Sequence, residues 1–179
     1  MVTATTNKLV IETERLRLLC CDKYTLEAIF DGDELLGAHL QITVPQRWSQ
    51  FGERAFRYTY DKVISANLSM EWWTYLPVFK NINTLVGTCG FKGAPANGMV
   101  EIGYEVAEEY RGQGLATEIA GALIRKAFEC ADVRLVQAHT LAFHNASSAV
   151  LGKCGMTMVE EISDPEDGML WRWEVGRAG

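Results

Sequence analysis

The residues with the most chemistry to offer lie in one stretch, Glu105-Val106-Ala107-Glu108-Glu109-Tyr110-Arg111-Gly112-Gln113-Gly114-Leu115-Ala116. It begins like a strand, turns through glycines and opens an apolar-periodic helix. A helix start carries unpartnered backbone N–H groups and the positive end of the helix dipole, so the stretch suits an anion, a phosphate above all. Gly112 and Gly114 allow the backbone to approach that anion closely. The spacing is neither GxxxxGK[ST] nor GxGxxG, which sets aside a P-loop and a dinucleotide fingerprint. A plain flexible turn ahead of a helix accounts for the glycines equally well. Charge sharpens the choice: residues 101–118 hold Glu101, Glu105, Glu108, Glu109 and Glu118 against Arg111 alone. Any pyrophosphate bound there must be held mainly by main-chain N–H groups.

The elements around this loop follow from hydrophobic period and turn residues. Leu9 to Leu19 reads as a first strand, with Asp22 as N-cap of a helix carrying Leu26, Ile29 and Phe30. Asp31 to Pro45 stays open, because Gly32 and Gly37 interrupt any long helix. Phe51, Ala55, Phe56, Tyr60, Val63 and Ile64 fit one amphipathic helix. Trp72–Phe79, Leu85–Phe91 and Met99–Val106, separated by turn residues, predict an antiparallel meander. Leu115–Cys130 is a strong helix, Val133–Leu141 a strand, and Ala146–Lys153 a short helix stopped by Gly155. Met156–Ile162 and Met169–Val175 flank the turn Asp164-Pro165-Glu166-Asp167-Gly168. The fold class is α+β, a mixed sheet with a strand–loop–helix–strand unit in its second half. Residues 9–175 form one domain between short tails at 1–8 and 176–179.

Composition narrows the partners. The chain has 179 residues, 48% of them apolar, with a formal charge of −6. A general nucleic-acid binder or an anionic-membrane binder needs a basic face, so neither is expected. No window is long and apolar enough to cross a bilayer, and residues 1–7 lack a signal-peptide core. The odd count of five cysteines, without CxxC spacing, points to free thiols in a cytoplasmic protein. His39, His139 and His144 have no matching ligand spacing, so no metal is expected.

Four segments carry a family resemblance. Arg111-Gly112-Gln113-Gly114-Leu115-Ala116 resembles the R/Q-x-x-G-x-G/A signature of the GNAT acyl-CoA-dependent N-acetyltransferases, and Val100 to Val106 looks like that family's fourth strand. Asn145 to Met156 resembles the N-x-x-S-x-x-V-L-E-K-x-G-F segment. Glu12-Thr13-Glu14-Arg15-Leu16-Arg17-Leu18 is similar to the first strand of the branch that includes the ribosomal-protein N-terminal acetyltransferases. The resemblance implies a mostly antiparallel central sheet flanked by helices, with a β-loop-α unit binding acetyl-CoA. By the same resemblance, Arg111, Gly112, Gln113, Gly114, Leu115 and Ala116 cradle the pyrophosphate, with Thr117 nearby. Val106 and Ala107 offer main-chain groups to the pantetheine arm, and Asn145 hydrogen-bonds that arm from the other side, or caps the short helix, or both. Two departures stand out. Asn145 lies one residue closer to the final glycine than the family pattern, so His144 competes for its place. The helix also offers Gly152 and Cys154 where relatives carry an acidic Tyr, which leaves the proton donor unassigned.

The resemblance implies direct attack of a neutral amine on the thioester. Amines are mostly protonated near neutrality, with pKa values of about 7.7–8.0 for an α-amine and about 10.4 for lysine, so a base must collect a proton. Glu101 is the first candidate, on the same strand face as Glu105 by period two; His139 and Tyr104 come second. Cys154 as a nucleophile lacks an assignable partner. A base contributes roughly 10²–10⁴-fold while orientation supplies about 7–11 kcal/mol, so alignment carries more of the catalysis than any single base. The acceptor is a protein α-amine or a small-molecule amine. Trp48, Phe51, Trp72 and Trp73 are candidates to line its site, and Asp31, Asp33 and Glu34 to attract its charge. A non-catalytic acyl-CoA-binding module is the rival reading, and a homodimer through the sheet stays open.

Overall fold

The computed structural model describes residues 9–177; the tail at 1–8 and the last two residues lie outside that range. The chain runs β1 (Val10–Glu12), β2 (Leu16–Cys20), α1 (Lys23–Asp31), α2 (Asp33–Leu40), α3 (Gly52–Ala66), β3 (Thr74–Phe79), β4 (Thr84–Leu85), β5 (Gly87–Phe91), β6 (Met99–Val106), α4 (Leu115–Glu129), β7 (Leu135–Leu141), α5 (Ala146–Lys153), β8 (Thr157–Asp164) and β9 (Gly168–Gly176). The α+β class and the antiparallel meander of β3, β5 and β6 match the sequence reading. No helix among the described residues is long and apolar enough to cross a membrane.

Three segments differ from expectation, each for a local reason. Leu9–Leu19 is a hairpin rather than one strand, because Thr13 N–H turns back to the Leu16 carbonyl at 3.0 Å. The open stretch after Asp31 is helical again over α2, once Gly32 at φ +112° has redirected the chain. Trp72 ends a single 3-10 turn, Met70–Trp72, and the strand starts at Thr74. The Asp22 cap is as expected, with its carboxylate accepting the Thr25 N–H at 2.8 Å.

The strands form one sheet in the order β1-β2-β3-β5-β6-β7-β9-β8, with β4 paired to β3 alone. Its two faces carry separate cores. Tyr75 and Leu76 are neighbours on β3, yet they belong to different clusters, as period two requires. On one face α4 buries Leu115, Ile119, Leu123 and Ala127 against Val100, Ile102 and Val106 of β6. On the other, α1, α2 and α3 bury Leu26, Leu36 and Phe56 against Leu76 and Leu85. Each such Leu, Ile, Val or Phe side chain removed from water contributes about 1.5–3 kcal/mol before entropy is counted.

β5 needs glycine at two places. At Gly87 and Gly90, φ of +155° and +146° would turn a Cβ onto the carbonyl oxygen of Glu105 or Trp73 respectively on the neighbouring strand. The one parallel pairing among the described strands joins β6 to β7, and it is short: Met99↔Leu135, Val100↔Val136 and Glu101↔Gln137. Beyond Glu101 the two strands part, and α4 crosses behind the gap.

Candidate functional site

The gap ends on the glycine loop. β6 stops at Val106, a single 3-10 turn spans Glu108–Tyr110, and α4 starts at Leu115. Gly112 and Gly114 sit at φ +75° and +77°, in left-handed backbone that favours glycine. Gly114 is the N-cap, so α4 has no side-chain cap and its first-turn N–H groups face outward unanswered. A Cβ on Gly112 would meet nothing within 4 Å, so open space lies over the loop. Residues 111–114 are exposed, whereas Leu115 is buried and anchors the helix start in the core.

Arg111 does not project freely from this loop. Its Nε donates to the Val106 carbonyl at 2.9 Å, tying the loop to the end of β6. The second cation is Arg15, which the sequence reading passed over. From the β1–β2 turn its Nε bonds Glu118 Oε2 at 2.7 Å and its Nη1 bonds the Gln113 carbonyl at 2.9 Å. Thr13 Oγ1 and the Arg15 N–H both donate to Glu118 Oε1, at 2.6 and 2.7 Å. Burial pushes the Glu118 carboxyl up, but these donors outweigh it and hold the group below its ordinary value. The acidic window is thus partly neutralised from outside itself.

The register of β6 decides which main-chain groups face the gap. Gly87 pairs with Val106, and the Ala107 N–H donates to the Val86 carbonyl at 2.8 Å. Antiparallel bonding alternates, so odd-numbered residues of β6 bond β5 while Ile102, Tyr104 and Val106 turn their N–H and C=O toward β7. Val106 therefore presents its main chain to the gap, with Arg111 already on its carbonyl. The Ala107 N–H is committed to Val86, and Tyr104 presents the main-chain groups next to those of Val106.

Across the gap, Asn145 caps α5. Its Oδ1 accepts the Ser148 N–H at 2.9 Å, and Ser148 Oγ accepts the Asn145 N–H at 2.9 Å. This reciprocal box keeps the Asn-to-Ser spacing of three, so Asn145 rather than His144 starts the helix. His144 instead packs edge-on against Trp171, ring centroids 5.1 Å apart. A cavity of about 300 Å³ opens beside them, lined by His144, Asn145, Ser148, Ala149 and Trp173. Tyr104 Oη reaches the Ser147 carbonyl at 3.3 Å, bridging β6 to α5. Burial pushes the Tyr104 phenol well up, and does the same to the Cys154 thiol. Cys154 Sγ lies 3.5 Å from the carbonyl of Thr117, a packed position rather than that of an activated nucleophile.

The opposite face of the sheet carries Glu101 and Glu105, since Val100, Ile102 and Val106 all point into the α4 core. Glu105 accepts the Gln50 N–H at 2.7 Å and the Ser49 hydroxyl at 3.1 Å, fastening the segment that leads into α3. Glu101 accepts from Lys92 Nζ and, at 2.9 Å, from His139 Nδ1. A cleft of about 210 Å³ lies between α3 and β5, with Phe51, Trp73, Thr88, Lys92 and Gly103 on its walls. The Trp73 indole N–H is buried there without a partner among the described residues. Of the other aromatics, Trp48 lies in the second core with its Nε1 on Asp33 at 2.8 Å, and Trp72 packs on Phe91. Asp31 and Glu34 are exposed on the helices behind. No group of three or more His, Cys, Asp or Glu among the described residues is arranged to hold a metal ion.

The family model described as an acetyltransferase (GNAT) domain matches residues 23–157. An uncharacterized N-acetyltransferase, YjdG of Bacillus subtilis (strain 168), is 30% identical over 152 residues, covering 83% of this chain and 90% of its own. RimL, a ribosomal L7/L12 alpha-N-protein acetyltransferase solved in complex with coenzyme A, has a TM-score of 0.69 at 20% identity. The match covers 94% of this chain and 98% of that one. The ribosomal-protein-S5-alanine acetyltransferase of Vibrio fischeri gives a TM-score of 0.65 at 16% identity, over 94% and 96% of the two chains. At such identities the likeness to these two structures is one of fold.

Proposed function

The chain belongs to the acetyltransferase (GNAT) family, and from that premise we propose that it transfers an acetyl group from acetyl-CoA to a primary amine, either a protein N-terminal α-amine or a small-molecule amine. The observation that carries this reading is the gap between β6 and β7, which opens onto the uncapped start of α4. A cofactor laid along it has its pyrophosphate over Gly112–Thr117, with Arg111 and Arg15 as flanking cations. Its pantetheine amides face the main chain of Tyr104 and Val106 on one side and Asn145 on the other. The acceptor enters from the α3 face, through the cleft bounded by Phe51 and Trp73.

In this arrangement the amine nitrogen attacks the thioester carbon, the C–S bond breaks and CoA departs as the thiolate. One amine proton leaves on the Glu101 side, and no acyl-enzyme forms. The name of RimL, a ribosomal L7/L12 alpha-N-protein acetyltransferase, favours the α-amine.

The test is thiol release from acetyl-CoA across a panel: peptides with free N-terminal Ser, Ala or Met, the same peptides blocked at the terminus, and small amines. One class should release thiol in step with an acetylated product seen by mass spectrometry. Tight acetyl-CoA binding without turnover on any amine would instead identify a non-catalytic acyl-CoA-binding module.

A further inference from the structure

Glu101 carries two donors on one oxygen. Lys92 Nζ and His139 Nδ1 both reach Oε1, the latter at 2.9 Å. The two donors fix the carboxylate through Oε1, which suits it to orienting the imidazole. With its Nδ1–H donated to Glu101, neutral His139 keeps a lone pair on Nε2. The neighbour of that atom is the Gln137 amide nitrogen at 3.5 Å, the far limit of a hydrogen bond.

Position agrees with this chemistry. Val136 and Ala138 of β7 point into the α4 core, so Gln137 and His139 lie on the same face as Glu101. The β6–β7 pairing ends at Glu101↔Gln137, which leaves His139 on the first stretch of β7 beyond it, inside the gap. Lys92, which bonds Glu101 Oε1, lines the acceptor cleft together with Gly103, its Cε 3.9 Å from where a Gly103 Cβ would stand. The Glu101–His139 pair thus adjoins the cleft through Lys92.

Resting on the acetyl-transfer reading above, we infer that His139 Nε2 is the atom that takes the proton from the attacking amine, with Glu101 as its positioning residue. As the N–C bond forms, one N–H proton passes to Nε2 and the imidazolium is stabilised by the Glu101 carboxylate. The C–S bond then breaks, and the proton returns through water to the CoA thiolate or to bulk. The other charged groups facing His139 are Lys92 from the β5–β6 connection, Arg172 of β9, which pairs with it in register, and Asp164 of β8. Arg172 is itself ion-paired to Glu160 and Glu174.

The experiment compares kcat–pH profiles of wild type, His139→Gln and Glu101→Gln, with acetyl-CoA and the fastest amine of the panel, alongside calorimetric acetyl-CoA affinity. His139→Gln should lower kcat by about 10²–10⁴-fold, abolish the acidic limb of the profile and leave acetyl-CoA affinity unchanged. Glu101→Gln should lower kcat less and keep the limb. Wild-type kcat in His139→Gln, or a limb that survives in it and vanishes in Glu101→Gln, would overturn the assignment. Should His139→Gln fail to fold, Glu101→Gln decides alone, because loss of its limb makes the carboxylate the base. An active wild type with an indifferent His139 refutes this inference and spares the function; a wild type that acetylates no amine refutes the function, and this inference falls with it.

Discussion

Adding one methyl group at Gly114 separates the fold from the ligand site. In Gly114→Ala the new Cβ stands at φ +77° with only Arg15 Nη2 near it, at 3.6 Å. That is an ordinary contact, so the structural cost is the left-handed backbone alone, about 1–2 kcal/mol. A domain has about 5–15 kcal/mol in hand, so the variant stays folded, its Tm lowered by about 2–4 °C per kcal/mol for a chain of this size. The methyl stands beside Arg15 at the start of α4, where on the proposed reading N–H groups would meet a pyrophosphate. Each bond lost to a charged group costs about 1.5–3 kcal/mol, which is about 10- to 150-fold in affinity. Thermal melting and calorimetry with CoA and with pantetheine, which lacks the pyrophosphate, form the assay. CoA binding should weaken by at least the lower figure while pantetheine binding stays the same. A folded variant with undiminished CoA affinity, or one in which pantetheine weakens equally, refutes the assignment of the loop to the pyrophosphate.

Glu118 predicts an acid-side signature. Its depressed folded pKa contributes stability that is present above the unfolded value of about 4.5 and is lost as pH falls through the folded one. Denaturation of Glu118→Gln between pH 5 and pH 2.5, a range chosen as roughly spanning that window, should give a flatter stability curve than wild type; parallel curves would remove the Thr13–Arg15–Glu118 cluster from the ledger. Asn145→Ala should cost about 0.5–2 kcal/mol by loss of the cap. Asn145→Asp keeps the cap and loses the amide donor, so it should retain the wild-type Tm while acetyl-CoA affinity drops; equal affinity would confine Asn145 to capping. Gly90→Ala forces a Cβ onto the Trp73 carbonyl and should cost more than about 4 kcal/mol. A cooperative melt within a few degrees of wild type would contradict the glycine requirement at this position.

What could be read from the chain was what is contiguous in it. Glycine spacing, the apolar period of α4 and the strand before it occupy one window, so the glycine loop and its helix were legible together. The Asp22 and Asn145 caps are equally local. Arg15 was not, because 103 residues separate it from Glu118 and nothing in its own alternating strand marks it as a loop partner. Lys92 and His139 meet Glu101 only through the β5–β6 turn and a three-pair parallel register, which no periodicity reports. The second helix escaped because Gly32 reads as a breaker, whereas at φ +112° it acts as a corner between two helices. The cleft between α3 and β5 drew Phe51 and Trp73 from the aromatics, while Trp48 went to the core, a division that depends on which helix face each residue occupies.

The parting of β6 and β7 leaves two open edges inside a sheet rather than at its rim. Tyr104 and Val106 present ladder groups with no strand to receive them, the condition that elsewhere invites a stray chain to add itself. A ligand whose arm carries amide groups is, to this sheet, a missing strand of another chemistry. Seated there it adds a bridge between the β1-to-β6 half and the β7-to-β9 half, whose direct strand pairing is the three β6–β7 residue pairs. On the proposed reading the cosubstrate would double as mortar, and the amides along that seam should resist solvent exchange only while it is in place.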